Sequence, residues 1–111
     1  MTEEKWTIIE GPDELGYYTA CNDAHKYAHV DQEGVPIYGQ RFNDIAPFQA
    51  GVAVVQDGKF GFHIKPDGTA AYEKRYEGVV MSFEDGLADV FTTPENLVLV
   101  MSPDGKITEK H

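Results

Sequence analysis

Two histidines, His29 and His63, stand 34 residues apart in matching surroundings, His29-Val30-Asp31-Gln32-Glu33-Gly34 lying over His63-Ile64-Lys65-Pro66-Asp67-Gly68. If both occupy one strand position, facing away from neighbours such as Phe62 and Ile64, they give a sheet face two metal-ligating nitrogens. The plainer reading is that the position recurs because the fold recurs. Each ring then fills a polar, aromatic-sized slot and bonds a nearby backbone group. No third ligand has suitable spacing, since His25 precedes His29 by a helical step. The same register lays Tyr38 over Tyr72 and Arg41 over Arg75. Tyr and Arg offer large contact areas with polar tips and are enriched at binding hot spots. A recurring Tyr/Arg face would grip acidic or carbohydrate groups. The competing role is internal: each Arg stacks on an aromatic ring, or pairs with Asp44 or Glu77, and braces its hairpin.

Other reactive residue types form no constellation. Asp13-Glu14 and Glu84-Asp85 are adjacent carboxylates, which a strand directs to opposite faces, so they suit turns better than acid/base pairs. Cys21 reads as a small buried hydrophobe. The two serines, Ser82 and Ser102, lie outside any Gly-x-Ser-x-Gly elbow, and the glycines precede β-type runs, not the helices a phosphate loop requires. No catalytic residue and no cofactor is assigned.

The elements that hold these residues read as short strands between turns. Asp57-Gly58, Lys65-Pro66-Asp67-Gly68 and Ser102-Pro103-Asp104-Gly105 are hairpin signals, and Gln49-Ala50-Gly51 and Glu84-Asp85-Gly86 mark further bends. Phe60, Phe62 and Ile64 alternate with Gly61, His63 and Lys65 at the period of a half-buried strand. Beyond one inserted residue the register becomes 35, and Phe48, Gly51, Ala53 and Val55 meet Phe83, Gly86, Ala88 and Val90. This gives two full copies, 26–59 and 60–96, flanked by partial ones. A helix from Pro12 to Lys26 is the competing reading at the N-terminal end. Internal Gly16 and Asn22-Asp23 weigh against it, and the recurrence favours a strand. The last residues, Thr108 to His111, are expected to fray.

At 111 residues the chain suits one domain, 1–111, able to fold without staples. Apolar residues make up 41% and aromatic residues 12%, too many for a disordered chain. A net charge of −10 with no basic stripe argues against nucleic acid and against anionic membrane surfaces. A lone cysteine, a charged N-terminus and no long apolar run point to the cytoplasm.

The second copy runs Phe60-Gly61-Phe62-His63-Ile64, then Asp67-Gly68, Arg75-Tyr76 and Phe83-Glu84-Asp85-Gly86-Leu87-Ala88-Asp89-Val90, and the first closes on Asp57-Gly58-Lys59. This order resembles the bacterial WG-repeat family from Tyr27 to Val90, with Phe60-Gly61 in place of the Trp-Gly pair. The resemblance implies β-rich repeat architecture and an interaction role, and it assigns no catalytic residue.

The expected fold is therefore all-β or mostly β: an antiparallel meander of repeated hairpins, in a small barrel-like or two-layer arrangement. Its expected core holds Val30, Phe48, Val54, Phe62, Ile64, Val79, Phe83, Leu87, Val90 and Val98. The expected function is a non-enzymatic interaction module, such as an acidic adaptor or immunity-type protein with a basic protein partner. The alternative is a small-ligand or metal-binding domain using the His29/His63 face. Homo-oligomers remain open.

Overall fold

The computed structural model describes residues 5–93 and 97–110. Ten antiparallel strands and no helix make up the described chain: β1 (Trp6–Glu10), β2 (Tyr18–Asn22), β3 (Tyr27–Val30), β4 (Asp44–Ile45), β5 (Ala53–Asp57), β6 (Phe60–Ile64), β7 (Tyr76–Val80), β8 (Ala88–Thr92), β9 (Val98–Met101) and β10 (Ile107–Lys110). Each strand pairs only with its neighbours in sequence, β1-β2-β3 forming one sheet and β4 to β10 in consecutive order forming the other. The all-β meander is as expected from sequence. The barrel-like alternative is not what forms, because both sheets stay open and the molecule measures 47 × 27 × 21 Å. The outer faces of β3 and β6 are instead covered by segments that follow them in the chain. The segment Ala46–Phe48 lies over β3, and Met81–Phe83 lies over β6.

Among the described residues one hairpin loop recurs five times and explains much of the regular spacing. In each five-residue loop the first N–H donates to the fifth carbonyl and the fourth N–H donates back to the first, as in Asp31–Val35 and Lys65–Thr69. The fourth residue is left-handed every time: Gly16, His25, Gly34, Gly68 and Gly105 have φ of 84°, 60°, 80°, 85° and 86°. Asp13, Asn22 and Asp31 open their loops by accepting two backbone N–H groups on the side-chain oxygen. His25 alone carries a Cβ at the left-handed position, where side chains cost about 1 kcal/mol. His25→Gly should therefore raise stability by about 0.5–1 kcal/mol, read as a higher urea midpoint with unchanged slope.

Two apolar clusters fill the interior. Ala28, Tyr38, Phe42, Phe48, Ala53, Val55, Phe62 and Ile64 form one. Tyr76, Val80, Phe83, Ala88, Val90, Leu99 and Met101 form the other, and Tyr72 packs against both. The expected core residues Val30, Phe48, Phe62, Ile64, Phe83 and Val90 are buried. Val54 and Val98 are only half-buried. Val79 and Leu87 lie outside: in β7 it is Val80 that points inward, while Val79 faces Phe91 across the outer surface. Cys21, expected in the core, is half-buried on β2. The region 12–26 contains β2 and two of the recurring loops, not a helix. The expected fraying covers 108–110, which instead belong to β10 and pair with β9, while His111 lies outside the described residues. Among the described residues, no helix is long and apolar enough to cross a membrane.

Candidate functional site

His29 and His63 sit on the outer faces of β3 and β6, yet both are fully buried. The surroundings are the same in the two places. The His29 N–H donates to the Tyr38 hydroxyl at 3.0 Å, and that hydroxyl lies 2.7 Å from Nδ1. Nε2 lies 2.8 Å from the Ala46 carbonyl. For His63 the partners are Tyr72, at 3.1 and 2.6 Å, and the Met81 carbonyl at 2.9 Å. A carbonyl can only accept, so Nε2 carries the proton. The tyrosine oxygen already accepts one N–H, so it donates its own proton to Nδ1. Phe48 and Phe83 then lie on the imidazoles, with ring centroids 4.3 and 4.5 Å away.

Each clasp thus joins a strand, the loop residue nine positions on and the covering segment through a neutral imidazole. No nitrogen lone pair is left over for a metal, and among the described residues no group of three or more His, Cys, Asp or Glu could hold one. This is the structural role weighed against a metal face. Burial lowers both imidazole pKa values and raises those of both tyrosines.

The pH consequence follows from the sign of the histidine shifts. The unfolded imidazoles bind protons near 6.5, whereas the folded ones resist protonation until lower pH. The stability is fully present above about pH 6.5 and is lost as pH falls from there towards the lowered folded values. The slope is at most about 1.4 kcal/mol per pH unit for each histidine. Asp67 and Asp104, held low by Thr69 and Ser102, contribute only in the more acidic carboxylate range. Denaturant titrations from pH 8 to 5 should show a plateau and then a fall beginning near 6.5. A flat profile down to pH 5 would contradict the neutral clasp.

The recurring tyrosines turn inward, whereas Arg41 and Arg75 line one open groove. Tyr38 is buried and Tyr72 half-buried, both with hydroxyls turned into their clasps. The Arg75 guanidinium lies 4.3 Å from the Phe62 ring centroid and pairs with Asp57 at 3.5 Å, not with Glu77. Glu77 pairs with Lys59 at 3.7 Å. In the first copy Ala28 stands at the Phe62 position, and Trp6 of β1 supplies the ring beneath Arg41, 5.0 Å away. Arg41 also donates to the Tyr38 and Gln40 carbonyls. Both arginines therefore brace hairpins.

Two features were not legible as site residues. The Glu14 carboxylate receives the Ala50 and Gly51 N–H groups at 2.8 and 3.2 Å, capping the turn after Phe48, whose own N–H donates to Asp13. The second is an apolar outer face on β7 and β8. Val79 and Phe91 are cross-strand partners there, 54% and 42% exposed, and Met81 and Leu87 are 48% and 45% exposed nearby. Glu84, Asp85, Asp89 and Glu109 line a groove beside them, of about 650 Å³.

Fold and site together define an open antiparallel β-ladder whose most reactive side chains are tied into structural clasps. No protein-family model matches the chain, and no curated protein matches it significantly.

Proposed function

We propose that this chain is a non-enzymatic protein-interaction module, a degenerate relative of the bacterial WG-repeat family that engages a basic protein partner. The observation that carries this reading is the exposed Val79–Phe91 pair with Met81 and Leu87, set among acidic side chains on an elongated β-ladder. Clustered exposed apolar residues with a polar rim mark interaction sites. The net charge of −10 would speed encounter with a basic surface and select against acidic ones. The neutral, fully bonded histidines and bracing arginines support the same reading, since they leave the recurring polar residues with structural work. The recurring clasp and loop geometry supports the family relationship.

The test is affinity capture from native extract at low and moderate salt, with wild type and Phe91→Lys. A stoichiometric basic protein retained by wild type, released by salt and lost with Phe91→Lys is the expected result. A partner bound equally by the variant, or none at either salt, would count against the reading.

A further inference from the structure

The side chains that seat Phe48 and Phe83 follow a pattern, and the pattern has a third position. Phe48 lies between His29 of β3 and Tyr17, its ring centroid 6.0 Å from that of Tyr17, while Glu14 holds the turn that follows it. Thirty-five residues on, Phe83 lies on His63 of β6, and Val52, which corresponds to Tyr17, packs against the cluster that contains Phe83. Gln49, corresponding to Glu14, donates its side-chain amide to the Phe83 carbonyl at 2.6 Å. One further step leads to Leu87 and Glu84. On β9, Val100 stands at the His29 and His63 position, and its cross-strand partner Glu109 stands where Tyr38 and Tyr72 do.

Leu87, Val100, Glu84 and Glu109 all line the same open groove. Leu87 is exposed and Val100 half-exposed, whereas the two histidines are buried under phenylalanine. Among the described residues no aromatic ring covers this third seat, and the Glu84 carboxylate meets no turn. The seat keeps its apolar floor but has lost the imidazole clasp, and it is edged by four carboxylates, those of Glu84, Asp85, Asp89 and Glu109.

We propose that the groove over Leu87 and Val100 is a docking site for an aromatic side chain presented on a tight β-turn flanked by basic residues of a protein partner. The inference rests on the interaction-module reading and names its surface. The aromatic ring takes the place that Phe48 and Phe83 take in the preceding seats. Glu84 receives the turn's N–H groups as Glu14 receives those of Ala50 and Gly51. The basic flanks answer the carboxylate rim. An apolar anchor in a pocket within a polar rim is a common arrangement at protein interfaces.

The probe is a backbone-cyclised peptide containing Lys-Pro-Phe-Gln-Ala-Gly-Val-Lys, which presents this chain's own turn at 47–52 between lysines. Amide NMR spectra of the full chain are followed as peptide is added. Saturable shifts confined to 81–89, 98–100 and 109 are expected, weakening as salt rises. Changing the peptide's Phe to Ala, or the protein's Leu87→Lys, should weaken binding about tenfold or more. Leu87 is exposed, so the variant should keep its melting temperature, and Val35→Lys, at an exposed position outside this surface, should bind as wild type does. No shifts at millimolar peptide, shifts elsewhere, or equal binding of the alanine peptide would overturn the proposal. So would concentration-dependent self-association that moves the same resonances, which would make a second copy the occupant. If Leu87→Lys still captures a basic partner that Phe91→Lys loses, the module reading stands and this surface alone falls.

Discussion

Gly78→Ala is expected to lower stability by about 3–4 kcal/mol, with a fall in Tm of more than about 10 °C. Gly78 marks the point where β7 stops pairing with β6, at Tyr76 and Glu77, and starts pairing with β8, opposite Thr92. Its φ of 138° lies where side chains are strained. A Cβ there would collide with the Phe91 carbonyl oxygen and lie 3.0 Å from its carbon and 3.1 Å from the Thr92 Cα, all of them backbone atoms. Backbone cannot yield as the tip of a flexible side chain can, so the clash would separate β7 from β8. The strain and the lost strand pairing add, because Gly78 also accepts from Gln56 and donates to Lys59. The neighbouring Val79→Ala, at an exposed position, should cost well under 1 kcal/mol. Paired urea titrations of the two variants check the contrast. Equal midpoints would show that the β6–β8 crossover tolerates a side chain.

His63→Ala is expected to cost about 3–5 kcal/mol, combining the cavity of a buried ring with two lost partners. The Met81 carbonyl and the Tyr72 hydroxyl are both left inside without the imidazole that satisfied them. Tyr72→Phe removes only the hydroxyl and should cost about 1–3 kcal/mol, the penalty of an unmet nitrogen and N–H. The double variant should cost less than the sum of the singles by about 1–2 kcal/mol, because the pair is lost once and not twice. The His63→Ala protein should also show about half the wild-type loss of stability between pH 6.5 and 5, since only His29 then resists protonation. Additive single effects with an unchanged pH slope would mean that hydroxyl and imidazole do not act together. The same cycle at His29 and Tyr38 should give matching values, as the distances at the two clasps agree within 0.1 Å.

Much of the fold was legible because its signals are local. The recurring loops depend on glycine, Asp and Asn at set offsets, and Phe60–Ile64 shows its strand period directly. The inward or outward choice in β7 was not legible. Val79 and Val80 are chemically alike, and the crossover at Gly78 decides which of them faces the core. The recurring His, Tyr and Arg positions were found by alignment, but their roles depend on partners far along the chain. The Ala46 carbonyl is 17 residues from His29, and the ring beneath Arg41 comes from Trp6, outside the alignable region. The third seat could not be read from sequence, because it is defined by a ring that does not cover Val100.

The strictly consecutive strand order has a kinetic consequence. Every ladder contact closes a short loop, so forming one hairpin places the next strand within reach and little chain entropy is lost at each step. Topologies dominated by such local pairings fold fast for β-proteins, on the side of milliseconds and not of seconds. Folding can begin at any hairpin and spread both ways, with Tyr72 joining the two apolar clusters as the growing fronts meet. The open ladder that leaves β4 and β10 as edges thus also spares the chain the slow search that joining its two ends into a barrel would impose.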